Sequence, residues 1–223
     1  KNVTASYGTA TDVVVRLDTP ELVCPGATFD LMTAIVTHFK TDHRIQSFHA
    51  ADIANVDTEG CKPVGDADDS NWGFEEAGPA DPPADFEKMG SDFTAQTTDE
   101  SFHGGAQSCK LTWTSTENQD FFQGMYQAVT VGQTVTFKVW AMDNDTAGRI
   151  RINVEFYNVN YLSLKKEYGG YTSDNAEWTE MTHEIAAPDG AAFARAFVRL
   201  YDVSENWDND ASVFIDDWSV GIQ

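Results

Sequence analysis

Hydrophobic and polar positions alternate with a period of two along most of this chain, which predicts strands, because successive strand side chains point to opposite faces. The alternation is clearest over residues 132–157. In 135–142, Val135, Phe137, Val139 and Ala141 share one phase, and Thr136, Lys138, Trp140 and Met142 the other. In 149–157 the aliphatic phase is Ile150, Ile152, Val154 and Phe156, against Arg149, Arg151, Asn153, Glu155 and Tyr157. The joining residues 143–148 carry Asp, Asn and Gly, so the stretch predicts an antiparallel hairpin with one packed face and one chemically loaded face. Residues 192–201 repeat the design: Ala194, Ala196, Val198 and Leu200 oppose Phe193, Arg195, Phe197, Arg199 and Tyr201.

Further strands are expected at 12–17, 28–39 and 43–49, with turns at Pro25-Gly26 and 40–42, and the first helical character at 50–55. Residues 60–105 change character, with many Asp, Glu, Gly and Pro, so a boundary is expected near 61–69 and long exposed loops after it. Beyond it, short strands are expected at 71–76, 107–114, 122–131, 178–186 and 212–221. That order of short strands and turns predicts an all-β fold, an antiparallel jelly-roll sandwich over 63–223 behind a small β domain over 1–62.

Composition narrows the function. A chain of 223 residues with 41% hydrophobic residues can build such cores, and a net charge of −22 argues against a nucleic-acid or anionic-membrane surface. No apolar run reaches the length of a membrane-spanning helix, and a start at Lys1 without a signal segment reads as a mature or excised piece. Cys24, Cys61 and Cys109 form no CxxC pair; a Cys24–Cys61 disulfide and three reduced thiols stay open as alternatives. Asn2-Val3-Thr4 and Asn144-Asp145-Thr146 are glycosylation sequons. His38, His43 and His49 with Asp42 and Asp52 offer metal-binding side chains, in a spacing that fits no standard zinc signature.

Four of the six arginines, Arg149, Arg151, Arg195 and Arg199, fall in the non-core phase of two strands of an otherwise acidic protein. Sugars bind by laying C–H faces on aromatic rings, and Arg forks recognise carboxylate or sulfate. Trp140, Tyr157, Phe197 and Tyr201 would supply rings, with Asn153 and Glu155 adding polar contacts. The competing expectation is that these arginines only form cross-strand pairs on a solvated sheet. A second candidate surface groups Phe121, Phe122, Tyr168, Tyr171 and Trp207. Trp178 is expected in the core; Trp72 and Trp218 fit either core or surface.

The motifs NWGFEE at 71–76, HGGAQSCKL at 103–111, YQAVTVGQTVTFKVWA at 126–141, Trp178 before Pro188, and VFIDDWSV at 213–220 occur in an order that resembles carbohydrate-binding modules of the family 4/9/16/22 type. The resemblance covers about 71–221 and implies a jelly roll that binds polysaccharide without catalysis, in a secreted or cell-surface bacterial protein. It also implies a structural calcium ion, with Glu75 and Asp217 as side-chain ligands and backbone oxygens near Gly104 and Gln107. Calcium suits such a set because it takes oxygen ligands in flexible number. Residues 27–56 resemble the closing strands of OB-like barrels. With fewer than about 60 residues available, that domain is either partial or a smaller β unit, OB-like or Ig-like. The arginine face implies an anionic or sulfated glycan. The alternatives are a structural or adhesive spacer within a larger protein, and a jelly-roll lyase or hydrolase; no histidine shares the phase of the proposed face, which disfavours the enzyme.

Overall fold

The computed structural model describes residues 72–76 and 80–223 in full and, before them, the backbone of six strands. The chain divides into two compact units, Lys1–Lys62 and Pro63–Gln223. In the first, β1 (Asn2–Tyr7), β2 (Ala10–Arg16), β4 (Ile35–Phe39) and β5 (Asp42–Gln46) form a sheet in the order β1-β2-β5-β4, with β2 and β5 parallel. The strands β3 (Thr28–Leu31) and β6 (Ile53–Asp57) form a second, two-stranded sheet. Residues 53–55, expected to be helical, therefore open a strand: Ile53 and Ala54 pair with β3, a long-range contact that local propensity does not register. His38 lies opposite His43 in the β4–β5 register, and the remainder of the histidine metal reading lies outside the described side chains. Cys24 and Cys61 also lie outside them, while Cys109 is a buried free thiol whose pKa burial pushes up.

The second unit is an antiparallel sandwich, and among the described residues it contains no helix. One sheet runs β14 (Ser163–Tyr171), β13 (Gly148–Tyr157), β16 (Phe193–Asp202), β10 (Gln119–Gln123), β7 (Phe86–Met89), with the short β11 (Gln127–Ala128) also on β16. The facing sheet runs β15 (Asn175–Ala186), β12 (Thr134–Asp143), β17 (Ala211–Ile222), β9 (Ser108–Trp113), β8 (Phe93–Thr98). The aliphatic phases fill the space between: Phe137 and Val139, Ile150 to Phe156 on alternate positions, Ala194 to Leu200 likewise, and Val213 and Ile215 are all buried. An aromatic chain, Phe74–Phe86–Phe121 with Trp218 edge-on to Phe86 and Phe137 beside it, joins both sheets. Each such ring or aliphatic chain taken from water contributes about 1.5–3 kcal/mol.

The expected hairpin is not formed. β12 pairs with β15 and β17, and β13 pairs with β14 and β16, so the turn between them crosses from one sheet to the other. Asp145 fixes that crossing by accepting the amides of Ala147 (3.0 Å) and Ser212 (2.9 Å). Two consecutive one-sided strands show the same alternation whether they pair or face each other across a core, since the period fixes the inward residues and not the hydrogen-bonded partner. Of the expected strand at 71–76, the described residues 72–76 form a turn and a bend. The acidic stretch thought to be only loop holds β7 and β8, where Asp81 accepts the Ala95 amide (2.9 Å) and pairs with Lys88 (2.7 Å).

Candidate functional site

The inter-sheet crossing puts Trp140 on the outer side of one sheet and Arg149, Arg151, Arg195 and Arg199 on the outer side of the other. The ten residues expected to form one ligand surface therefore do not meet. Trp140 stacks on His103, ring centroids 3.7 Å apart and planes at 12°, so one face of its ring is taken by the protein itself. Trp178, expected in the core, is half-buried on this outer side, 6.0 Å from the same His103 ring.

On the six-stranded sheet the register sets Arg151 opposite Arg199, Asn153 opposite Phe197, and Glu155 opposite Arg195, with Asp120 and Phe122 of β10 beyond them. Like charges facing each other repel, and acidic partners from neighbouring strands offset this. Arg199 forks onto Asp120, donating from Nε to Oδ1 (2.5 Å) and from Nη2 to Oδ2 (2.7 Å). That bond holds the guanidinium pKa above its ordinary value, against burial, which lowers it. Arg195 donates to the Gln123 carbonyl (2.9 Å) and to Glu87 Oε2 (2.9 Å). Lys166 bridges Asp120 (3.6 Å) and Glu155 (3.4 Å), and Ser163 donates to Glu155 (2.5 Å). Phe122 and Phe197 stack at 4.5 Å, with Arg195 4.8 Å above Phe122 and Lys166 5.0 Å above Phe197.

The centre of this face is thereby sealed by its own side chains. Asn153 and Phe197 are fully buried, Arg195 is 4% exposed, and Glu155 and Tyr157 are also buried. Burial and the adjacent Glu155 push the Tyr157 hydroxyl pKa well up, so it stays protonated. Five of the ten expected contact residues are thus internal. The reason is charge pairing: Glu87 and Asp120 come from strands far apart in sequence and meet Arg195 and Arg199 only when the sheet assembles, and Lys166 then pairs with Asp120 and Glu155.

One side of the face stays open. Tyr168 is 39% and Tyr171 41% exposed, Arg149 is exposed, and Arg151, Arg199 and Tyr201 are half-buried. Two residues three apart on a regular strand point to opposite faces, yet both tyrosines belong to this one. Arg151 pairs with Tyr171 and Asn153 with Tyr168, so three residues of β14 oppose two of β13, a β-bulge at Gly169-Gly170. A Cβ on Gly169 would lie 2.9 Å from the Ile152 carbonyl oxygen and from His183 Cγ, which leaves room only for glycine. Guanidinium groups pack on both rings: Arg149 over Tyr171 at 4.3 Å, Arg151 over Tyr168 and Tyr171 at 4.8 Å each, and Arg199 over Tyr168 at 5.6 Å. Tyr201 meets Tyr171 edge-on at 5.3 Å. Arg151 Nε donates to the Gly169 carbonyl (2.9 Å), which ties guanidinium and bulge together. The second expected surface contributes Tyr168 and Tyr171 to this platform; Phe121 and Phe122 are fully buried, and Trp207 is partly buried against the core.

Glu75, Asp217, Gly104 and Gln107, expected around a cation, do come together at one loop. A Cβ at Gly105 would lie 1.8 Å from Glu75 Oε1 and one at Gly104 2.9 Å from Asp217 Oδ2, so two glycines admit carboxylates from both ends of the sandwich. Glu75 accepts the amides of Ala106 (3.1 Å) and Gln107 (3.5 Å), and Asp217 Oδ2 lies 2.7 Å from His103 Nδ1. Asp216, which sequence reading passed over, accepts the amides of His103 (2.8 Å) and Gly104 (3.0 Å). The carboxylates suit a hard cation by charge, while the loop offers them N–H groups in place of carbonyls. Among the described residues no three His, Cys, Asp or Glu side chains converge as a metal site.

No protein-family model and no curated protein matches the chain. Among solved structures it is similar to the enzymatically active domain of bacteriophage CBA120 tailspike protein 4, at 13% identity and TM-score 0.53 over 74% of this chain and 22% of that one. It is also similar to the arabinose-bound α-L-arabinofuranosidase MgGH51, at 13% identity and TM-score 0.50 over 69% of this chain and 26% of that one. The CBM22-1 xylan-binding domain of Paenibacillus barcinonensis Xyn10C matches at 13% identity and TM-score 0.46, over 65% of this chain and 89% of that one. The chain thus spans about a fifth to a quarter of the tailspike and arabinofuranosidase chains. What it shares with them is the all-β sandwich fold.

Proposed function

We propose that this chain binds polysaccharide without catalysis, on the platform of Tyr168, Tyr171 and Tyr201 with Arg149 and Arg151, and with Arg199, held by Asp120, buttressing Tyr168. The observation that carries this is the bulge at Gly169-Gly170, which turns two exposed tyrosines to one face and packs guanidinium groups on both. Rings of that kind take the C–H face of a pyranose, and a fork beside the ring selects for carboxylate or sulfate. Among the described residues neither Arg149 nor Arg151 has a carboxylate partner, whereas Arg195 and Arg199 do. The ligand that fits is therefore an anionic or sulfated glycan.

Affinity electrophoresis in gels carrying uronate, sulfated or neutral polysaccharide tests this. The acidic gels should retard the chain, and Tyr168→Ala/Tyr171→Ala should abolish the retardation while leaving the melting temperature within a few degrees. Equal mobility of both proteins in every gel would refute it.

A structural calcium ion held by Glu75 and Asp217, the role the family resemblance gives them, belongs to the same proposal. It would neutralise two carboxylates brought to one loop, and what supports it is their approach to Gly104 and Gly105. A chelator that lowers the melting temperature of the sandwich would bear it out, and an unchanged melting temperature would dismiss it. Secretion or surface display, with further domains in a parent protein, completes the reading.

A further inference from the structure

Beside the platform, at the edge where β14 leads into β15, a cleft of about 200 Å³ is lined by Tyr171, Thr172, Ser173, Asn175, Glu177 and, from the end of β12, Asp143. Ile152 and Met181 supply apolar lining. Asp143 is 2% exposed; its carboxylate takes bonds from the Thr172 hydroxyl, to Oδ2, and from the Asp145 amide, while its Oδ1 has no partner. A buried carboxylate oxygen without a donor is costly, and such groups persist where a ligand or solvent completes them. Thr172 in turn accepts the Ile150 amide (3.0 Å), so Oδ2 holds that turn in place, and Oδ1 is left without a donor.

We propose that this cleft is a second sugar subsite, taking one neutral pyranose unit whose hydroxyls donate to Asp143 and bond to Thr172, Ser173 and Asn175, with its ring against Tyr171. Hydroxyl donors fit the lining because its ionisable groups, Asp143, Glu177 and Glu180, are all acidic and would repel an anionic unit. The high pKa that burial gives Asp143 agrees with a group awaiting a donor. Tyr171 belongs to both surfaces, so a chain whose acidic unit lies over Arg149 and Arg151 continues across the β14 edge with a neutral one. This rests on the platform reading and makes it sharper: the ligand class is a polysaccharide that alternates acidic and neutral units.

Calorimetric titration of the full chain tests it with three oligosaccharide probes: an alternating uronate–neutral series (rhamnogalacturonan fragments), a uronate-only series (polygalacturonate fragments) and a neutral series (xylo-oligosaccharides). The wild type should bind the alternating probe at least 10-fold more tightly than either other. Ser173→Trp, an exposed position at the cleft, should erase that preference while leaving uronate-only binding and the melting temperature unchanged. Equal affinity for alternating and uronate-only probes, or a preference that survives Ser173→Trp, would overturn the subsite and leave the platform standing. Loss of uronate-only binding in Arg149→Ala/Arg151→Ala shows the platform separately, and its persistence there would overturn the platform. Saturable calcium binding without sugar that Asp143→Asn abolishes would replace the sugar subsite by a cation site.

Discussion

Replacing Arg199 with Ala separates a structural arginine from a ligand-binding one. Its guanidinium forks onto Asp120 at 2.5 and 2.7 Å, and the two side chains are only 15% and 9% exposed. Removing one member of a buried pair leaves the other charge uncompensated, at about 3–5 kcal/mol. Lys166, 3.6 Å from the same Asp120, recovers part of that, so the expected loss is about 2–4 kcal/mol. For a unit of this size that corresponds to a fall of roughly 5–15 °C in melting temperature. All six tryptophans lie in the unit Pro63–Gln223, so urea unfolding followed by their fluorescence reports on the sandwich alone. Arg149→Ala is the control: that side chain is exposed and has no acidic partner among the described residues, so stability should stay within about 0.5 kcal/mol. If Arg199→Ala unfolds at the same urea concentration as wild type and loses glycan binding as fully as Arg149→Ala does, charge pairing is not what seals the sheet centre.

Three further outcomes are expected. Burial, followed by the charges of Asp174 and Asp145, lifts the Asp143 pKa to about 6 against bonds from Thr172 and the Asp145 amide, while an unfolded chain ionises it near 3.9. Stability should therefore fall by up to about 2–3 kcal/mol as pH rises from about 4 to about 6 and level off above, and urea midpoints of Asp143→Asn should lack that fall. Gly169→Ala should cost roughly 1–3 kcal/mol in urea unfolding and weaken glycan binding as well, because its Cβ meets the Ile152 carbonyl oxygen and the shift displaces both tyrosines. Trp140→Ala should leave polysaccharide affinity within about 2-fold and cost about 1 kcal/mol of stability for the lost His103 stack, as calorimetry and thermal melts would show.

The inward phases of β12, β13 and β16 were legible because a period of two and aliphatic residues leave little choice about which side packs. Their partners were not: β12 and β13 carry the same signal whether they pair or face each other. The strand β14 escaped because its sequence, SLKKEYGGY, has no aliphatic alternation and two glycines that read as a loop. Its exposure is that of an edge strand, with Leu164 half open to solvent. That omission hid the bulge, and with it the reason Tyr168 and Tyr171 share a face. The arginine cluster was visible, while its acidic partners Glu87 and Asp120 lie 108 and 79 residues from the arginines they hold, beyond the reach of any local pattern.

The most direct test is nuclear magnetic resonance mapping of backbone amide shifts during titration with an acidic oligosaccharide. The account predicts shifts confined to residues around 149–153, 167–173 and 199–202. Shifts centred on residues 103, 140 and 178, on the outer side of the opposite sheet, would contradict it.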